Sequence, residues 1–137
     1  MSRLKAMLES HPSPAGDNGD AARECIEACF DCAEICSICA DACLAEEDAS
    51  MLVQCIRLNL DCADVCEVTG KLLVRTGHRD ANTLHLLLHA CSQACRSCAD
   101  ECDVHAREME MAHCRICAEA CRACADACDS MVAALVP

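Results

Sequence analysis

Between residues 25 and 43 the chain reads CIEACFDCAEICSICADAC, with cysteine at 25, 29, 32, 36, 39 and 43 and mostly acidic or small residues between them. The spacing of 4, 3, 4, 3, 4 is that of a helix–helix seam, where leucine or isoleucine ordinarily stands. On a helix it draws a single stripe, so the pattern predicts a buried face made of thiols, with Glu27, Asp31, Glu34 and Asp41 on the solvated side. The same alternation predicts four long helices, at about 20–47, 48–76, 80–107 and 110–135. Asp20, Asp48 or Ser50, and Asp80 are their expected N-caps, and Gly77 is expected just past the second. Residues 1–19 form an arm and linker: Leu4, Met7 and Leu8 suit one short helical turn, and HPSPAGDNGD is rich in turn formers.

No glycine or proline separates the third helix from the fourth. The break is read from phase. Cys91, Cys95, Cys98 and Cys102 extend in register to His105 and Met109, whereas Cys114, Cys117, Cys121, Cys124 and Cys128 fall two residues out of step. At about 100° per residue that slip turns the stripe to the far side, so the chain must reverse between about His105 and His113. A shift of 59 residues also superposes Cys32, Cys36, Cys39, Cys43, Cys55 and Cys62 on Cys91, Cys95, Cys98, Cys102, Cys114 and Cys121. Two copies of one helical hairpin joined by short connections give an all-α, antiparallel up-down-up-down four-helix bundle over 20–137.

That topology assigns the two ends. Cys39, Cys43, Met51, Cys55, Cys102, His105, Met109, Met111, His113 and Cys114 gather at one, which is the expected opening. Thr69, Leu73, Leu84, Leu88, Met131 and Leu135 plug the other. Outside the cysteine stripe, Leu52, Ile56 and Leu60, continued by Val65, Val68 and Leu72, suggest a subunit interface on the second helix. His85 and His89 stand one residue off the core stripe and are expected in solvent, His11 and His78 in loops, and Met7 in packing.

Composition sharpens the picture. There are 18 cysteines, one phenylalanine and no tyrosine or tryptophan, so sulfur takes the place that aromatic rings hold in ordinary cores. A formal charge of −12 disfavours nucleic acid and suits a chain that concentrates cations. No export signal or apolar span of membrane length is visible, so the expected compartment is the cytoplasm, where thiols stay reduced.

Eight CxxxC pairs are present: 25/29, 32/36, 39/43, 62/66, 91/95, 98/102, 117/121 and 124/128, with Cys55 and Cys114 outside them. Donors at i and i+4 can face one small ion, and interleaved CxxC spacings let a sulfur bridge two ions. Thiolate and thioether donors select Cu(I), which accepts two or three sulfurs. Terminal pairs would hold about nine ions and full bridging roughly 18. The weaker His and Met donors at the opening suit transfer, with His105 in phase with the thiols.

In these features the chain resembles the cytosolic branch of the bacterial four-helix-bundle copper storage proteins, from Asp20 onward. The resemblance implies a tetramer filled with Cu(I), the CxxxC cysteines as ligands with Cys55 and Cys114 as extras, and a His/Met-rich opening. Copper donors and acceptors are the further partners to expect. Zinc or cadmium sequestration by a metallothionein-like thiolate core is the main alternative, since i,i+4 pairs from facing helices can also build four-sulfur sites. An iron–sulfur enzyme would place its cluster cysteines on loops beside a substrate domain. A thiol oxidoreductase needs one activated thiolate, whereas these positions look equivalent. No enzymatic activity is expected.

Overall fold

A computed structural model describes residues 3–13, 18–77 and 79–135. Helix α1 (Leu4–Glu9) precedes four long helices: α2 (Gly19–Leu44), α3 (Val53–Val74), α4 (Ala81–Glu108) and α5 (Ala112–Leu135). Helix α2 packs on α3 and α5, and α4 on the same two, so the four form a ring around a central axis. Sulfur pairs across that axis fix the register. Cys25–Cys128, Cys32–Cys121 and Cys117–Cys36 pair α2 with α5 running in opposite directions, and Cys91–Cys66, Cys62–Cys95 and Cys55–Cys102 do the same for α3 and α4. The diagonal pairs Cys62–Cys121 and Cys66–Cys124 keep α3 and α5 parallel. This is the up-down-up-down bundle that the periodicity predicts.

The ends of the helices differ from the sequence reading where local chemistry outweighs pattern. Asn18, not Asp20, holds the N-cap position of α2, and Asp20 lies inside the first turn, where its charge still suits the helix dipole. Helix α2 stops at Leu44. A 3₁₀ turn over Ala49–Met51 then hands over to α3, so Asp48 and Ser50 do not cap that helix. Helix α3 ends at Val74, with Arg75 at the C-cap, leaving Gly77 two residues further on. Asp80 does cap α4: it accepts from the Asn82 amide at 3.2 Å and from the Thr83 hydroxyl at 2.7 Å. The α4–α5 reversal is tight, with Met109 at the C-cap and Glu110 in the left-handed region at φ 53°. The phase slip is thus absorbed in three residues, 109–111.

One end is apolar. Thr69, Leu73, Leu84, Leu88 and Met131 are buried there, with Leu135 partly so. The arm is tied to the α3–α4 connection at this end, since Thr76 Oγ1 donates to the Ser13 carbonyl at 3.0 Å. Leu4 and Leu8 pack against the core, but Met7 is 74% exposed and takes no part in that packing. His78 and linker residues 14–17 lie outside the described residues. The outer stripe of α3 also differs from expectation. Leu52 is fully buried, and Ile56, Val65 and Leu72 rest partly on the core, leaving Leu60 and Val68 exposed.

Phe30, the one aromatic side chain, lies over Gly70, and a Cβ there would come within 2.8 Å of its ring. Gly70→Ala therefore sets a helix-propensity gain of up to about 1 kcal/mol against overpacking of roughly 1–3 kcal/mol. We expect a net loss in chemical denaturation of the apo-protein. In a Phe30→Ala background, where the clash is gone, the same change should stabilise.

Candidate metal centre

All 18 cysteines are buried thiols, and none is joined in a disulfide. They form one continuous column. Within helices, i,i+4 sulfurs stand 4.0 Å apart at Cys25/Cys29, 3.7 Å at Cys32/Cys36 and 3.8 Å at Cys62/Cys66. Between helices, Cys36–Cys121 and Cys66–Cys95 each close to 3.5 Å. Sets of four side chains bring their donor atoms within 4.8 Å of one another: Cys29, Cys91, Cys124 and Cys128; Cys32, Cys62, Cys66 and Cys95; Cys32, Cys36, Cys62 and Cys121; and Cys36, Cys98, Cys117 and Cys121. The sets overlap, with Cys32 and Cys62 in two of them and Cys36 and Cys121 in two.

Overlap bears on which ion fits. Four sulfurs around zinc at about 2.3 Å stand roughly 3.8 Å apart, so any one set is the right size for zinc. Zinc sites, however, are closed and need four donors each, which the shared sulfurs cannot supply to neighbouring sets at once without bridging. A column of shared sulfurs matches ions of low coordination number that accept bridging thiolates, as Cu(I) does.

Asn59 is a member of this column that the sequence reading passes over. It is fully buried, its Oδ1 accepts from the Cys98, Cys117 and Cys102 thiols at 3.0, 3.2 and 3.6 Å, and its Nδ2 donates to Cys55 at 3.7 Å. The signal was present, since residues 55, 59, 62 and 66 keep the 4, 3, 4 spacing. At this level the amide gives the Cys98, Cys102 and Cys117 thiols an oxygen acceptor in addition to their sulfur neighbours. It can also turn its NH₂ toward sulfur once the thiol protons leave.

Protons are unevenly held along the column. Burial pushes the Cys43 thiol up, with the nearby Cys39 sulfur adding to it. Hydrogen bonding with Cys117 and Cys121, reinforced by burial, raises Cys36 as well. Hydrogen bonding with Cys128 and then Cys29 brings Cys25 down to about 5. Physically, touching thiols share protons: one keeps its hydrogen and donates it, and the acceptor ionises more readily.

At the opposite end from the leucine plug, the predicted opening residues separate into distinct environments. His113 Nδ1 lies 3.5 Å from Cys39 Sγ and 3.6 Å from Cys114 Sγ, while its Nε2 faces Glu46 at 3.4 Å. Cys39, Cys43, His113 and Cys114 together form a further set of converging donors. Met111 is nearly buried, with Sδ 4.0 Å from Cys114 Sγ. His105 is buried but its Nε2 is engaged by Glu101 at 2.7 Å. Met109 is partly buried and Met51 is 68% exposed, outside the column. A shallow pocket of about 100 Å³, lined by Ile35, Ile38, Cys39, His113 and Ile116, reaches the column beside Cys39.

Asn59→Ala should remove the oxygen acceptor that three thiols share. We expect it to destabilise the apo-protein by about 1–3 kcal/mol, read from the denaturation midpoint under reducing conditions.

The family model for copper storage proteins matches residues 18–133. The copper storage protein Ccsp of Streptomyces lividans, in a structure loaded with 10 copper equivalents, is 44% identical over 95% of this chain and 98% of that one, with a TM-score of 0.89. A structure of the cytosolic copper storage protein from the same organism with five coppers is 48% identical over 83% of this chain and 93% of that one, at a TM-score of 0.79. The Cu(I)-bound copper storage protein BsCsp3 is 36% identical over 82% of this chain and 98% of that one, at 0.71. No curated protein matches the chain.

Proposed function

The chain belongs to the copper storage protein family, and from that premise we propose that it is a non-enzymatic, cytoplasmic store whose cysteines hold many Cu(I) ions inside the bundle. The observation that carries this reading is the overlap of the four-sulfur sets, which suits a chain of bridged copper ions better than separate zinc sites. In this reading all 18 thiols are ligands: Cys25, Cys29, Cys32, Cys36, Cys39, Cys43, Cys55, Cys62, Cys66, Cys91, Cys95, Cys98, Cys102, Cys114, Cys117, Cys121, Cys124 and Cys128. The cytosolic relative from S. lividans supports the compartment.

For uptake, His113 is the first donor inside the opening. Its ring bridges Glu46, which is 39% exposed at its side chain, and Cys39, so a cation drawn by the acidic surface meets carboxylate, imidazole and thiolate in turn. Met111 supplies a neutral thioether to Cys114 at the same level. His105, held by Glu101, orients the rim, and Met51 and Met109 offer outer thioethers that exchange copper with a donor. Leu60 and Val68 on α3 and Ile38 on α2 remain exposed, and we assign them to contacts between copies in a homotetramer.

Anaerobic titration of the reduced protein with Cu(I) against a chelator should saturate between about nine and 18 ions per chain. Cys39→Ala or Cys98→Ala should lower that capacity. His113→Ala should slow loading at least severalfold with little change in capacity. Saturation at only a few ions, or displacement of Cu(I) by equimolar Zn(II), would sink the proposal. Because thiols such as Cys36 and Cys43 are pushed up and keep their protons at neutral pH, copper must displace them. Loading in weak buffer should release roughly one proton per copper or more, and apparent affinity should fall as pH is lowered.

A further inference from the structure

Two histidines on the outside of α4 take no part in the thiol column. His85 and His89 stand one turn apart, His89 exposed and His85 half-buried, with their Nε2 atoms 3.2 Å from each other and ring planes inclined at 68°. They flank the apolar end, beside Leu84 and Leu88, and are separated from His105 by 16 residues of helix, or roughly 24 Å. We propose that this pair is a second metal site: a bidentate imidazole chelate for a borderline divalent cation of the Ni²⁺, Zn²⁺ or Cu²⁺ class, chemically distinct from the interior and unable to hold its Cu(I).

The separation of the two nitrogens supports that assignment. With metal–nitrogen bonds of about 2.0–2.1 Å, donors 3.2 Å apart subtend an angle of about 100° at the ion, between the octahedral and tetrahedral values. A two-coordinate Cu(I) prefers a near-linear arrangement, which would need the nitrogens about 4 Å apart, too far for this pair. Neutral imidazole is the ordinary donor for zinc, nickel and divalent copper. Helix geometry presets the chelate, because i and i+4 side chains on a regular helix already face each other. A neutral imidazole can carry its hydrogen on Nδ1, which leaves the Nε2 lone pair of each ring free to face the metal.

The surroundings leave the rest of the coordination sphere to water. Asp129 on α5 is close enough for His89 to influence its carboxylate, but that carboxylate is engaged by Ser92 Oγ at 2.8 Å and by Arg96 at 2.5 Å. Leu86, 71% exposed on the same stretch of helix, offers no donor. Two protein ligands make a site that loads and unloads quickly. It would hold divalent ions on the outer wall while the thiols keep the monovalent one inside.

The test uses the protein saturated anaerobically with Cu(I), so that its thiols are occupied, and Ni²⁺ as a probe that does not oxidise them. Calorimetric titration should show one Ni²⁺ per chain, with paramagnetic broadening of the His85 and His89 ring signals in NMR. His85→Gln and His89→Gln should each weaken binding at least tenfold while copper content stays the same. Absence of Ni²⁺ binding, or binding that survives either substitution, would overturn the assignment. So would broadening centred on His105 or His113.

Discussion

Charge cannot accumulate in the middle of this bundle without a cation to balance it. Two thiolates about 4 Å apart repel by roughly 4 kcal/mol at an effective protein dielectric, and here sulfurs approach to 3.5–4.0 Å along a whole column. The empty protein must therefore keep most of its thiols protonated, satisfied by one another and by Asn59. In that state the interior behaves as a core of small, weakly polar side chains. Filled, it becomes a polyanion neutralised ion by ion. Fold and cargo are coupled through proton release, which is why a cysteine column can be both a packing solution and a reservoir.

The same constraint explains the asymmetry of the ends. In the proposed reading, protons and metal exchange at one end of the column, and the other is a dry end where the helices are held together without sulfur. Leucine and methionine do the second job at Leu73, Leu84, Leu88 and Met131, with the arm tied down over the α3–α4 connection. At the other end, Glu46, His113, Met111 and Cys114 grade from charged surface to thiol over a few ångströms. Where Leu84 and Leu88 stand in the second hairpin, the first has Cys25 and Cys29, so the column reaches deeper along α2 and α5 than along α3 and α4.

The overlapping sulfur sets decide between metals in a way that single sites would not. Each set alone is the right size for tetrahedral zinc. Only the sharing of Cys32, Cys36, Cys62 and Cys121 between sets turns the balance toward an ion content with two or three donors. That argument depends on four helices at once, and no pair of them contains it.

Much was legible from the chain alone. A spacing that alternates between three and four residues admits one helical face, so the column, the helix count and the reversal near residue 110 follow from periodicity, as does the apolar plug. Local competition was not legible: Asn18 displaces Asp20 at a cap, a 3₁₀ turn separates α2 from α3, and Leu52 turns inward from the stripe that leaves Leu60 and Val68 exposed. Asn59 kept the cysteine period but was hidden by its residue type, because a polar amide in a core position gains its meaning only from the thiols that three other positions bring to it. Likewise the cysteine phase favours His105 over His113 in the chain, yet His105 is tied to Glu101 and it is His113 that looks onto Cys39. Periodicity determines which side of a helix a residue occupies. The distance between side chains on different helices, which sets proton sharing, bridging and access, is decided only when the helices pack.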